Sequence, residues 1–243
     1  MRNYFYLLIA IFTLFAGGCN TITKANHEFE IDRMAVILTF DDGPNSNADT
    51  TAHVLDVLKK HDITAMFALL GVNATRNPEL TRRIHDEGHF IINHGYSDKF
   101  AINMKNGEFR ENLRNGEAAI TEALGAPLNI RLYRPHGDFY RRRHERIWQE
   151  EGWILLGGNI RAYDAVIREA EKDKVKRRII GKTLKKGGGI ILLHDARDSY
   201  LRMEVGLAKK PSGPFNRSWI PEILEEIIID LLEKGYNFVV PEW

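Results

Sequence analysis

Seven short apolar runs, separated by stretches of helical character, constrain what this chain can become. Runs at residues 35–40, 65–69, 90–93, 130–133, 153–156, 189–193 and 237–240 have strand length and are rich in Val, Ile, Leu and Phe. Between them, residues 50–60, 78–87, 108–124, 142–151, 170–185 and 221–234 are predicted helices. In the first of these, Val54, Leu55, Val57 and Leu58 recur at helical spacing. Strands alternating with helices build a mainly parallel sheet with helices outside it. About seven such units in one domain predict an α/β fold, an irregular (β/α) barrel. The alternative is an open doubly wound sheet. That fold would normally carry a glycine-rich phosphate loop after its first strand. Here the position holds Asp41-Asp42-Gly43-Pro44, which is acidic and unfit for phosphate.

The same run suggests chemistry. Val36 to Phe40 reads as a buried strand that stops at Gly43-Pro44. Two adjacent carboxylates at a buried strand end repel each other and lose hydration, which costs free energy unless a cation or hydrogen-bond donor compensates. A solvated Asp-Asp turn would need neither. Other polar residues also fall at strand C-termini: His94 after residues 90–93, Arg134-Pro135 after 130–133, and His194-Asp195 after 189–193. In parallel α/β barrels the loops on that face converge on one site. Taken singly, His194 could be a core histidine bonded to a carbonyl, and Asp98 a solvated loop acid. In the long segment 195–220, Tyr200, Phe215 and Trp219 could pack on a sugar ring or cover the edge of the barrel.

The N-terminus has its own character. Arg2 precedes an apolar stretch to Phe15 and then Ala16-Gly17-Gly18-Cys19. A positive start, a short apolar core and small residues form a secretory signal, too short for a transmembrane helix. Cys19 is the single cysteine of the chain, so no intramolecular disulfide is possible. Small residues ending in Cys resemble a bacterial lipoprotein cleavage site. That resemblance makes residues 1–19 a lipoprotein signal, Cys19 the lipidated residue, 20–33 a tether and 34–243 one catalytic domain. The protein would then lie outside the cytoplasm, lipid-anchored to a membrane of the cell envelope. With a formal net charge of +1, nothing favours a nucleic-acid partner. The chain is expected to act as a monomer.

Taken together, the motifs resemble the polysaccharide deacetylase family, carbohydrate esterase family 4. Thr39-Phe40-Asp41-Asp42-Gly43-Pro44 matches its first motif, and Leu192-Leu193-His194 its fifth. Gly88-His89 through Asn93-His94 matches the second in part, with Asp98 where the family has a second metal-binding His. Tyr133-Arg134-Pro135-His136-Gly137 approximates the third, and Asp164-Ala165 is what remains of the fourth, an Asp-Trp pair. The resemblance implies a divalent metal, Zn²⁺ first and Mn²⁺ or Co²⁺ as alternatives, held by Asp42, His94 and Asp98. That set would make a divalent site formally neutral. By the same resemblance Asp41 is the general base, Arg134 orients it and keeps it ionised, and His194 protonates the leaving amine. Pro135, His136 and Leu192 line the substrate site. The implied reaction is hydrolysis of acetamides on an N-acetylglucosamine polymer such as peptidoglycan. The altered second and fourth motifs motivate one alternative, a carbohydrate-binding pseudoenzyme. Another is an O-acetyl esterase acting on acetylated glycans.

Overall fold

The computed structural model of the protein describes residues 21–26, 30–46, 49–196 and 217–242. Its elements in chain order begin with β1 (Ile22–Lys24), β2 (Ala35–Asp41), α1 (Thr50–Lys60), β3 (Met66–Leu69), α2 (Gly71–Arg76), α3 (Pro78–Asp86) and β4 (Phe90–Asn93). Next come α4 (Asn106–Leu124), β5 (Leu132–Tyr133), β6 (Phe139–Arg141), α5 (Glu145–Glu150), β7 (Ile154–Leu155) and β8 (Ile160–Arg161). The last are α6 (Lys172–Lys186), β9 (Gly189–His194), α7 (Ile220–Glu233) and β10 (Asn237–Phe238).

The main sheet runs β7-β5-β4-β3-β2-β9-β8, with β10 beside the start of β2, and every pairing in it is parallel. It curls with helices outside, an irregular (β/α) barrel whose edge strands are β7 and β8. The two-residue period of a strand divides its side chains between two layers. Val36, Leu38 and Phe40 of β2 pack outward with Val54, Leu55 and Leu58 of α1 and with Ile223, Leu224 and Ile227 of α7. Ile37 points the other way, into an interior cluster with Met66, Ala68, Ile92, Leu132, Leu156 and Ile190. Asp41 shares the parity of Ile37, and His194 that of Ile190. Strand register puts Asp41 level with His194 on one side and with Ala68 on the other. One parity rule thus fills the lower interior with hydrocarbon and sends Asp41 and His194 to its open top.

Several elements differ from the sequence-based expectation. Residues 22–24, expected within a loose tether, pair antiparallel with β6. Beyond that strand, Ala25 is 3% exposed and joins a cluster with Tyr133, Tyr140 and Trp148. The 237–240 run gives only the two-residue β10. The seventh strand of the path is β8, where two residues were too few to show a period. Residues 142–144 form a 3₁₀ turn before the short α5. Trp219 is 2% exposed within the outer core, so it is no sugar platform. Tyr200, Phe215 and Cys19 lie outside the described residues. Among those described, no helix is long and apolar enough to cross a membrane.

Candidate active site

A cavity of about 430 Å³ opens at the C-terminal end of the strands, lined among others by Asp41, Asp42, His94, His136, Leu192 and His194. Asp41 ends β2 and is 3% exposed. Arg134 follows β5 and is wholly buried beneath it. One guanidinium nitrogen, Nη1, donates to Asp41 Oδ1 and, at 2.9 Å, to Thr39 Oγ1, while Nε donates to the Leu156 carbonyl at 2.9 Å. Thr39 in turn donates to the Ile191 carbonyl at 2.9 Å. Arginine and aspartate thus lock each other across the barrel interior, with Asp41 Oδ2 left toward the cavity. A charge-assisted pair of this kind is also what allows both groups to be buried.

Asp42 begins the turn that leaves β2, at φ 74°. This left-handed conformation is uncommon for a residue with a side chain, and such strain gathers at functional sites. It is held on both sides: its N–H donates to the Ala68 carbonyl at 3.1 Å, and its own carbonyl accepts from Asn73 Nδ2 at 2.7 Å. The peptide that follows, Gly43–Pro44, is cis. His94 follows β4 directly, and its Nδ1–H donates to the Arg134 carbonyl at 2.9 Å. That bond leaves Nε2 facing Asp42 Oδ1 at 3.4 Å.

The third member of this group is His136. Its Nδ1 stands 3.3 Å from Asp42 Oδ1, and its ring lies between His94 and Phe100, with centroid distances of 5.1 and 5.2 Å. A tight turn presents it. Asp138 N–H donates to the Pro135 carbonyl at 2.8 Å, and Gly137 and Asp138 both take positive φ. A Cβ at Gly137 would lie 2.2 Å from a ring carbon of Phe100. Glycine is needed there both for its backbone conformation and for this close approach.

Donor atoms of Asp42, His94 and His136 all lie within 4.8 Å of one another. Asp42 Oδ1 and His136 Nδ1 are buried and make no hydrogen bond. Converging, orphaned N and O donors fit a divalent cation. A ligating histidine whose other nitrogen bonds a backbone carbonyl, as in His94, is the usual support for one. Burial alone would raise the Asp42 carboxyl. The two facing imidazoles and the charge of His194 more than offset that and hold it well below the ordinary carboxylate range. Asp98 lines the same cavity but does not join this cluster. His136, placed by the sequence among substrate contacts, takes the position assigned there to Asp98. One Asp and two imidazoles leave a divalent site formally +1, not neutral.

His194 ends β9. Its Nδ1 faces both carboxylate oxygens of Asp164, at 3.1 and 3.2 Å, and its backbone N–H donates to Oδ2 of the same group at 2.7 Å. Asp164 is 1% exposed. Burial lowers the His194 pKa, but Asp164 first, then Asp42 and Asp41, outweigh it and bring the net value up to about 9. With Nδ1 engaged, Nε2 is left for substrate. So the Asp of the eroded fourth motif is in place, while Ala165 stands where the aromatic would be and lines the cavity. Leu192, two residues before His194 on the same face, lines it too, whereas Pro135, expected beside the substrate, is buried and is not among the residues lining the cavity.

A profile of the polysaccharide deacetylase family matches residues 30–152. The chain belongs to that family. A peptidoglycan-N-acetylglucosamine deacetylase of Bacillus cereus is 37% identical over 213 residues, covering 85% of this chain and 69% of the relative. Among solved structures, a family 4 acetyl xylan esterase of Clostridium thermocellum with a cobalt ion aligns with a TM-score of 0.66 at 28% identity, covering 84% of this chain and 87% of the other. A peptidoglycan N-acetylglucosamine deacetylase aligns with a TM-score of 0.68 at 26% identity, covering 86% of each. This polysaccharide deacetylase family member therefore carries two buried acid–base pairs, Asp41–Arg134 and Asp164–His194, on either side of a three-residue donor cluster.

Proposed function

We propose that the protein is a metal-dependent hydrolase that removes N-acetyl groups from an N-acetylglucosamine-containing polysaccharide such as peptidoglycan. The observation that carries this reading is the placing of a base, an acid and a donor cluster around one cavity. Asp42, His94 and His136 would hold the ion, with Zn²⁺ the best match to two nitrogens and one oxygen, and Co²⁺ or Mn²⁺ as alternatives. When bound, a divalent cation supplies Lewis acidity to the acetamide carbonyl and to water.

The protein's own groups move the protons. Arg134 fixes Asp41 through Oδ1, so Oδ2 accepts the proton of the water that attacks the acetyl carbon. His194, charged through Asp164, delivers a proton from Nε2 to the departing nitrogen. Without that proton an amine anion would have to leave. Asp164 keeps the imidazole oriented and protonated, as the acid of a triad-like pair requires. Leu192 and Ala165 offer apolar surface to the acetyl methyl, and the N–H after Pro135 is the backbone donor assigned to the developing oxyanion.

Acetate release measured over a glycan panel, with and without a chelator, tests the proposal. Chelator-sensitive release from N-acetylglucosamine oligomers is the expected result, and metal-free release or none at all overturns it. Likeness to an acetyl xylan esterase supports a second reading, O-deacetylation, and acetylxylan in the same panel separates the two. Lipid attachment at Cys19, an envelope location and a monomeric state complete the proposal.

A further inference from the structure

The lining of the cavity also carries Asp138, two residues beyond His136, and Arg161. We infer that Asp138 is a specificity-determining residue: by neutralising Arg161 it restricts the reacting position to an uncharged N-acetylated sugar and rejects one bearing a carboxylate, such as the lactyl ether of N-acetylmuramic acid. This deepens the deacetylase reading and rests on it.

Arg161 is the only lysine or arginine among the described residues lining the cavity. Its side chain is 17% exposed and that of Asp138 9%, and the two meet as an ion pair. A second guanidinium contact, from Nη2 to the Gly158 carbonyl at 2.6 Å, fixes the arginine from the segment just before its strand. Asp138 is equally fixed. Its N–H closes the His136 turn, and its carbonyl accepts from Ala25 N–H at 2.9 Å. Behind Arg161 the surroundings are cationic: Lys182 Nζ donates to its carbonyl at 2.5 Å. Burial first, then the charges of Arg161, Lys186 and Lys182, lower the Lys24 pKa. Without Asp138 this wall would present net positive charge to the cavity.

With Asp138 in place, the remaining lining acids are Asp41, Asp42 and Asp98. Asp41 is matched by Arg134, and Asp42 by its two imidazoles. No unpaired cation remains for a substrate carboxylate on this wall. Such a group would be desolvated beside Asp138 without a partner, and desolvation without pairing is the costly case. A neutral sugar meets no such cost. In an alternating glycan the enzyme would therefore act on every second residue.

The test uses the metal-loaded full-length protein, a tetramer of N-acetylglucosamine, and a glycan alternating N-acetylglucosamine with N-acetylmuramic acid. Free amines are assigned to each sugar by mass spectrometry. Wild type is expected to free the amine of the neutral sugar at least about tenfold faster than that of the acidic one, as like-charge juxtaposition predicts. Asp138→Asn should shrink that ratio. The double variant Asp138→Asn with Arg161→Gln should restore it, because the cation is then gone, whereas a merely structural role for Asp138 predicts no restoration. Equal attack by wild type on both sugars, or an unchanged ratio in Asp138→Asn, overturns the inference. Calorimetric binding of the methyl glycosides of N-acetylglucosamine and of N-acetylmuramic acid, each offering one sugar type to the site, reads the same preference without turnover. Selective binding with no acetate release would sink the deacetylase reading alone, and equal binding would sink the specificity reading alone.

Discussion

Asp164→Asn removes the charge that chiefly holds the proton on His194. The pair with Asp164 is the chief reason that the His194 pKa rises from 6.5 to about 9, a change corresponding to roughly 3 kcal/mol. Asparagine preserves shape and can still accept the His194 backbone N–H, but it removes the charge. Burial then acts without its strongest opponent, and the pKa falls toward the ordinary 6.5. At pH 8 an acid of pKa about 9 is roughly nine-tenths protonated, and one of pKa 6.5 about 3%, so the variant should lose about 30-fold in turnover at that pH. A divalent ion beside Asp42 lowers both values, so the separation between the alkaline limbs is diagnostic. The assay is kcat against pH for wild type and variant with a soluble N-acetylglucosamine oligomer. Linkage adds a second readout on metal-free protein. A histidine whose pKa is raised by folding stabilises fully below 6.5, and that contribution is lost as pH rises through about 9. Wild type should lose thermal stability across that window, and Asp164→Asn should not. A variant that keeps the wild-type alkaline limb would refute the role given to Asp164.

His136→Ala should weaken metal binding by about 100-fold or more while Asp98→Ala stays within a few-fold, read by metal titration. Gly137→Ala, which would drive a methyl into Phe100 and strain the turn, should cost about 10- to 100-fold in metal affinity with the three donors intact. Burial raises the Asp195 carboxyl to about 7, although Thr51 Oγ1 donates to it at 2.5 Å. An acid raised by folding destabilises as pH climbs from 3.8 through 7, so Asp195→Asn should raise the melting temperature at pH 8 by a few degrees and change little at pH 4. Cys19→Ala should move the protein from the detergent phase to the aqueous phase, or leave it uncleaved.

The fold and half of the site were legible for one reason: apolar runs that stop at a polar residue are visible in one dimension. Asp41, Asp42, His94, Arg134 and His194 each end or follow such a run, and parity within β2 and β9 carries Asp41 and His194 to the same interior. His136 was harder to place because its position depends on a turn. The positive φ of Gly137 and Asp138 swings the imidazole back over the cavity, and no periodicity records that. The Arg-Pro-His-Gly sequence immediately after a strand was the available signal. Asp98 drew attention through motif spacing alone, and spacing does not say which way a loop side chain points. β1, β6 and β8 have two or three residues each, so they gain stability from pairing and not from any intrinsic pattern.

The short β1–β6 ladder has a practical meaning for anyone shortening this protein. Strand–helix alternation begins near Met34, which makes a soluble version starting there attractive. Such a cut would strip Ala25 from its aromatic cluster. It would leave the Asp138 carbonyl and the Gly157 N–H without their Ala25 and Asn26 partners, and would bare β6 as an open edge. Asp138 closes the turn that carries His136, so the damage would reach the donor cluster as lost metal affinity, easily mistaken for a dead enzyme. A soluble form that begins before Thr21 keeps the ladder and leaves the chemistry fairly tested.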